Sequence, residues 1–153
     1  MAFGLLYDYL VGKCNNAYEY FGAHFETRKI GRKNVSGVIF RLYAPLASDV
    51  SVIGEWNNWD AGASKMNKID DAGVYELFVP GLTEYQLYKY HFKNCHGVYV
   101  DKADPFAFFS EYRPGTCSKT FDIKGFPWGD FAWMNNRTRN FDNPLAIYEI
   151  HLG

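Results

Sequence analysis

The sequence predicts an all-β fold, an antiparallel β-sandwich with a short N-terminal helical segment and a truncated C-terminal extension. Two observations lead to it. From Val35 onward, apolar residues alternate with a period of two, as on half-buried strands. About seven such short runs follow one another up to residue 124, separated by turns rich in Gly, Pro, Asn and Asp. The chain of 153 residues suits one domain with attachments. The expected division is a leader or linker over 1–34, the sandwich over 35–124, and a C-terminal connector with one further strand over 125–153.

In order, residues 2–10 suit a short helix with Phe3, Leu6 and Leu10 on its apolar face. Residues 17–21 suit a helical turn ended by Gly22. The cations of Arg28–Lys33 read as a solvated loop ahead of the first strand. In that strand Val38, Phe40 and Leu42 share one face, while Ile39, Arg41 and Tyr43 share the other; Pro45 stops it. VSVIGEW (50–56) is the next strand, with Trp56 continuing the buried Val50–Val52 face. A brief strand near 66–69 leads to a turn at Gly73, then to Val74–Val79. Residues 85–92 form a longer strand, with Tyr88, Tyr90 and Phe92 on one face and Leu87, Lys89 and His91 on the other. Asn94–Gly97 is a hairpin turn into Val98–Val100. Asp101–Pro105 reads as a rigid surface turn, and 118–123 as the last strand of the sandwich. Asp130 is placed to cap a helical turn over 131–134. Residues 145–153 read as one more strand, either an added edge of the sandwich or the start of a further domain.

Composition excludes some functions. Net charge is −1, without the basic field that gathers nucleic-acid phosphates. No apolar run is long enough to predict a membrane span, and the first residues lack the basic start of a signal peptide. Cys14, Cys95 and Cys117 are odd in number and far apart, which fits a reducing compartment and a cytoplasmic location. The four histidines show no zinc spacing, and no fingerprint for a nucleotide, a cofactor or a hydrolytic triad is present. No metal or cofactor is expected. Asp101, Asp104, Glu111 and Asp122 lie near turns, with no pair pinned for glycoside hydrolysis.

The aromatic content, 19%, is the outlier, and rings either fill cores or stack on flat ligands. Trp59 stands in the polar turn NNWD rather than in strand alternation. An indole there can carry the C–H face of a sugar ring, with Lys89 as a hydroxyl donor and Tyr99 as a second platform. Asn57, Asn58 and Asp60 read equally well as residues that cap their own turn. On residues alone both readings stand.

Spaced motifs then carry a resemblance: YFGAHFE (20–26), GVIFRLYAP (37–45), VSVIGEWNNWD (50–60), GVYELFVPGL (73–82), YKYHF (88–92), KADPFAF (102–108), RPGTCS (113–118) and PLAIYEIHLG (144–153). From about residue 17 to 153 the chain resembles the N-terminal part of bacterial 1,4-alpha-glucan (glycogen) branching enzymes. The resemblance implies an immunoglobulin-like carbohydrate-binding sandwich of the type called family 48, ahead of a catalytic barrel of the glycoside hydrolase 13 type. It makes YEIHLG the first barrel strand and places the catalytic carboxylates downstream, so the chain alone is expected to be inactive. It implies α-glucan partners, glycogen and malto-oligosaccharides. It matches Trp59, with Asn58 beside it, and Lys89 to the family's glucose contacts. It sets Tyr99 where the family has a second tryptophan, and brings Thr116 and Ser118 to the polar last strand, Ser118 standing for the usual asparagine. A packing role against the missing barrel is the alternative, through Phe106, Phe108, Phe109, Trp128 and Trp133. The equivalent module of a debranching or trehalose-forming enzyme is a third reading.

Overall fold

The computed structural model describes residues 2–138, 142, 144 and 146–151. The chain divides into two compact units, Met1–Ile123 and Lys124–Gly153. The first holds helix α1 (Ala2–Leu10) and nine strands: β1 (Gly22–Ile30), β2 (Lys33–Tyr43), β3 (Ser48–Gly54), β4 (Asn67–Asp70), β5 (Val74–Pro80), β6 (Leu87–Lys93), β7 (Tyr99–Lys102), β8 (Phe109–Ser110) and β9 (Ser118–Lys119). They form two antiparallel sheets. One has the order β1-β2-β5-β4; the other runs β3-β6-β9-β8, with β7 also paired to β6.

The alternation in β2 sets the core. Val38, Phe40 and Leu42 join Ala23 of β1 and Tyr75 of β5 in one buried cluster with Val50 and Val52 of β3 and Tyr88 and Tyr90 of β6. The cluster thus draws on both sheets. The Phe40 ring meets Tyr88 edge-on at 5.0 Å and stacks on Trp56 at 5.7 Å. Burying these rings is the main favourable contribution, about 25 cal/mol per Å² of apolar surface. A smaller cluster of Leu6, Ala17, Phe21 and Val74 lies against Tyr9, Tyr43 and Phe106.

Two tyrosines in the larger cluster raise a polar problem, since a buried hydroxyl needs a partner. Asp104 supplies it. Its Oδ2 accepts from Tyr88 at 2.7 Å and from Tyr90 at 3.2 Å. Its Oδ1 accepts from the Phe106 N–H at 2.8 Å, and its own N–H donates to Ser118 Oγ at 2.9 Å. Asp104 is therefore buried, not part of a surface turn as the sequence suggested. Burial raises its carboxyl above the ordinary 3.8, opposed by the tyrosine and backbone donors.

Other expectations are corrected. Residues 22–30, assigned to the leader, are a full strand, and Arg28–Lys33 is the tip of the β1–β2 hairpin rather than a loop. Ile30 pairs with Lys33 across a two-residue loop, and Gly31 at φ +62 provides the positive angle a type II′ hairpin needs at that position. Arg28 is held by pairing: it reaches Glu26 at 3.1 Å and Glu76 at 3.3 Å, and Arg41 of β2 reaches the same Glu76 at 2.7 Å. On α1, Leu10 is exposed and Tyr9 takes its place beside Leu6, because Tyr9 lies 4.9 Å from the Phe21 ring and 5.4 Å from Tyr43. The expected Phe3 contact lies outside the described side chains. The last strand of the first unit is two residues long, ending at Lys119 rather than 123.

In the second unit, helix α2 (Phe131–Asn136) forms where expected, but Asp130 at its N-cap makes no side-chain hydrogen bond. No strand forms over 146–151, where Ile147, Tyr148 and Ile150 are exposed; a strand needs a paired neighbour to satisfy its backbone. Leu145, Leu152 and Gly153 of that expected strand lie outside the described residues.

Gly73 sits at φ +96, its carbonyl accepts from Ala44 N–H at 2.8 Å, and a Cβ there would overlap the Pro45 backbone. Gly73→Ala is expected to lower the unfolding free energy by about 2–4 kcal/mol, read by urea denaturation. For Asp104 the sign follows from its raised folded-state pKa. The folded chain holds that proton more tightly than the unfolded chain, so the contribution is full below pH 3.8 and fades as pH rises through the raised value. The stability difference between wild type and Asp104→Asn should therefore shift against wild type over that interval; a pH-independent difference would contradict the assignment.

Candidate functional site

Gly54 ends β3 because of what lies on it. A Cβ at Gly54 would overlap the Trp56 ring and crowd the Leu87 carbonyl. The chain leaves the strand there, so Trp56 belongs to a short 3-10 turn, Glu55–Asn57, and not to the strand that the sequence reading extended through it. Its core position holds all the same, through the Phe40 stack. Its Nε1 is buried without a hydrogen-bond partner.

Asn57 then locks the turn. Its Oδ1 accepts from the Gly54 N–H at 2.9 Å, and its Nδ2 donates to the Val52 carbonyl and to Ser64 Oγ, both at 3.0 Å. Asp60 Oδ1 accepts from the Gly62 N–H at 2.8 Å. With both ends tied, Asn58 and Trp59 are held at φ +52 and +61. Asparagine tolerates that region; a bulky residue such as tryptophan rarely enters it. Trp59 is nevertheless 40% exposed, so core packing does not explain the strain. Backbone strain of this size, about 1–3 kcal/mol, gathers at functional sites.

Lys89 lies on β6 opposite Ile53, the next-to-last residue of β3. Its Nζ donates to Thr116 Oγ1 at 2.7 Å, leaving two of three ammonium protons for other acceptors. Tyr99 is on β7 opposite Lys93, four positions from Lys89 along β6, about 13 Å. Its ring stacks on His91 at 5.1 Å and 11°, and Lys93 Nζ lies 5.8 Å from its centroid, so one ring face is already occupied. The Tyr99 hydroxyl donates to Asp49 Oδ2 at 2.5 Å, and Lys65 takes Asp49 Oδ1 at 2.6 Å. Those two bonds hold the Asp49 carboxyl below its ordinary range, and the bond to Asp49 pushes the tyrosine hydroxyl up. His91 Nδ1 bonds Asp101 at 2.6 Å.

The sheet thus places Lys89, Thr116, His91 and Tyr99 on one outward face, and Trp59 on the turn leaving that sheet. Ser118 is elsewhere: it pairs with inward-facing Tyr88, is 1% exposed, and its Oγ is engaged by Asp104. It has no surface to offer a ligand. The sequence reading had not attached Asn57 to Ser64, nor His91, Asp49 and Lys65 to Tyr99. Strand alternation put His91 on the Lys89 face; Asp49 stands in β3 where the register shifts between Ser48 and Ser51, and Ser64 and Lys65 lie outside the named strands, so no such period marks them.

Two antiparallel sheets with an exposed, strained indole and a lysine-bearing strand beside it describe an all-β module with a surface aromatic site. Residues 20–107, more than half of the chain, match the family Carbohydrate-binding module 48 (Isoamylase N-terminal domain), and the chain belongs to that family. It is 46% identical over 149 residues to a 1,4-alpha-glucan branching enzyme of Clostridium perfringens (strain 13 / Type A), covering 95% of this chain and 22% of that protein. It is 37% identical over 150 residues to the 1,4-alpha-glucan branching enzyme of Bacillus subtilis (strain 168), covering 97% and 23%. The chain spans about a fifth of the length of the curated relatives it matches. Among solved structures, a pullulanase from Bacillus acidopullulyticus aligns with a TM-score of 0.55 at 24% identity over 80% of this chain and 14% of that one, a likeness of fold alone.

Asn57→Ala removes one acceptor and two donor bonds inside the turn. It is expected to lower stability by roughly 2–3 kcal/mol in urea denaturation and to speed hydrogen exchange at the Gly54 amide.

Proposed function

We propose that this chain is the non-catalytic α-glucan-binding module of a 1,4-alpha-glucan branching enzyme, built as an immunoglobulin-like sandwich of its two sheets. The observation that carries the reading is Trp59: an exposed indole kept at φ +61 by a turn that the Asn57 side chain ties with three hydrogen bonds. A site held in shape before the ligand arrives loses less entropy on binding. Trp59 is the platform for the C–H face of a glucose ring, and the free protons of Lys89 Nζ bond its hydroxyls. Thr116 positions that ammonium, Asn58 borders the platform, and Tyr99 offers its remaining ring face further along the sheet. The ligands are glycogen and malto-oligosaccharides. The full-length parent would transfer α-1,4-glucan segments to form α-1,6 branches, with its catalytic groups on a barrel beyond residues 125–153, the proposed connector. The three free cysteines favour a cytoplasmic setting.

A second role, packing on that barrel, is favoured by the exposure of Trp128 (74%) and Trp133 (65%) in the second unit. Phe106 and Phe108 do not serve it, being packed against Phe21 and against Tyr18 and His24 within the first unit.

Titration with maltoheptaose, followed by NMR, is expected to move the Trp59 indole and Lys89 signals. No shift at high millimolar sugar would sink the reading. Trp59→Gly removes the ring at a backbone angle glycine accepts, so stability should hold or rise by about 1 kcal/mol while affinity falls about tenfold or more.

A further inference from the structure

Trp59 is not the only aromatic residue held in the left-handed region. Tyr85 has φ +66 and is 54% exposed. Its backbone is likewise fixed by a polar side chain under the loop, here a fully buried one. Thr120, 0% exposed, donates from Oγ1 to the Thr83 carbonyl at 2.7 Å and accepts there from the Gln86 N–H at 3.0 Å. Its carbonyl accepts from the Tyr85 N–H at 2.7 Å. Strain is again maintained to present a ring at the surface, where core packing gives no reason for it.

The ring is not alone. Tyr85 lies 5.9 Å from Phe109 and 5.7 Å from Phe121, and those two lie 5.4 Å apart. Phe109 is 41% exposed. Lys119 Nζ sits over the Phe109 ring at 5.6 Å. Register places the group: Leu87 of β6 pairs with Lys119 of β9, which pairs with Phe109 of β8. Leu87 shares the outward face of β6 with Lys89. The aromatic group therefore stands on the same face as Lys89, two strand spacings across and two residues along, about 12 Å, towards the edge opposite β3.

We propose that Tyr85, Phe109 and Phe121, with Lys119 as donor, form a second platform for a linear α-1,4-glucan; the proposal rests on reading this sheet face as glucan-binding. The chemistry repeats that of Trp59 and Lys89: ring surface for C–H faces, an ammonium for hydroxyls. A lysine poised on the Phe109 ring suits a hydroxylated ligand better than a protein partner, whose interface cores are depleted in lysine. A chain of a few glucose units held at Lys89 can reach the second group, so the two platforms together favour longer glucans.

The test is an NMR titration of the 153-residue chain with maltoheptaose, observing aromatic and backbone signals, in wild type, Tyr85→Gly, Phe109→Ser and Trp59→Gly. Glycine suits φ +66, so Tyr85→Gly keeps the loop; the Phe109→Ser spectrum checks the result independently. The expected result is sugar-dependent shifts at Tyr85, Phe109 and Phe121 that persist in Trp59→Gly, and affinity lowered about three- to tenfold by Tyr85→Gly or by Phe109→Ser. Shifts confined to Trp59 and Lys89 would overturn the second platform and leave the proposed function standing. Shifts at neither group would overturn both. Tyr85 and Phe109 signals that move with protein concentration but not with sugar would overturn the platform and mark a protein-docking face.

Discussion

A carboxylate inside the first unit ties its parts together. Asp104 accepts from two hydroxyls on β6, from the loop that carries Phe106, and donates its amide to β9. Tyr88 and Tyr90 can be fully buried only because their hydroxyls end on it; unpaired, each would lose about 1–3 kcal/mol. The same bonds bring β9 alongside β6 and set Phe106 against Phe21 in the smaller cluster. Burial raises the hydroxyl pKa of both tyrosines well above its usual value, so they remain donors at any ordinary pH. Core, strand order and the loop into β8 thus share one acceptor.

With the inward face of β6 committed in this way, its outward face carries polar side chains. Lys89 and His91 alternate with Tyr88 and Tyr90 on a single strand, so the strand that anchors the core also displays the polar groups. The surface aromatics obey a second rule. Trp59 and Tyr85 both pay for exposure with a positive φ, and each is held by a side chain that satisfies the loop beneath it, Asn57 in one case and Thr120 in the other. A loop tied in this way is ordered before any contact is made, so no binding energy is spent on ordering it.

Much of this was legible in the residues. Period-two alternation found β2, β3, β5 and β6, and it put Val38, Phe40 and Leu42 of β2 and Tyr88 and Tyr90 of β6 on the faces that join the main core. It failed on β1, whose Glu26, Arg28 and Lys29 look like a solvated loop. Such charges are tolerated at a sheet edge, and Arg28 is paired by Glu26 beside it and by Glu76 on β5, forty-eight residues away. Over 146–151 the described residues form no strand: an apolar run reads as a strand in sequence whether or not a neighbour is present to pair with it.

The sequence by itself determined the all-β class, the turn at NNWD, the core role of Trp56 and the unusual position of Trp59, because each follows from local pattern and residue chemistry. Only tertiary structure decided the rest. It buried Asp104 and Ser118 by bringing them under β6, turned one face of Tyr99 onto His91, and gathered Tyr85, Phe109 and Phe121 at one edge of the sheet. Those outcomes depend on strand register between distant segments, and register is a property of the assembled sheets that no window of neighbouring residues contains.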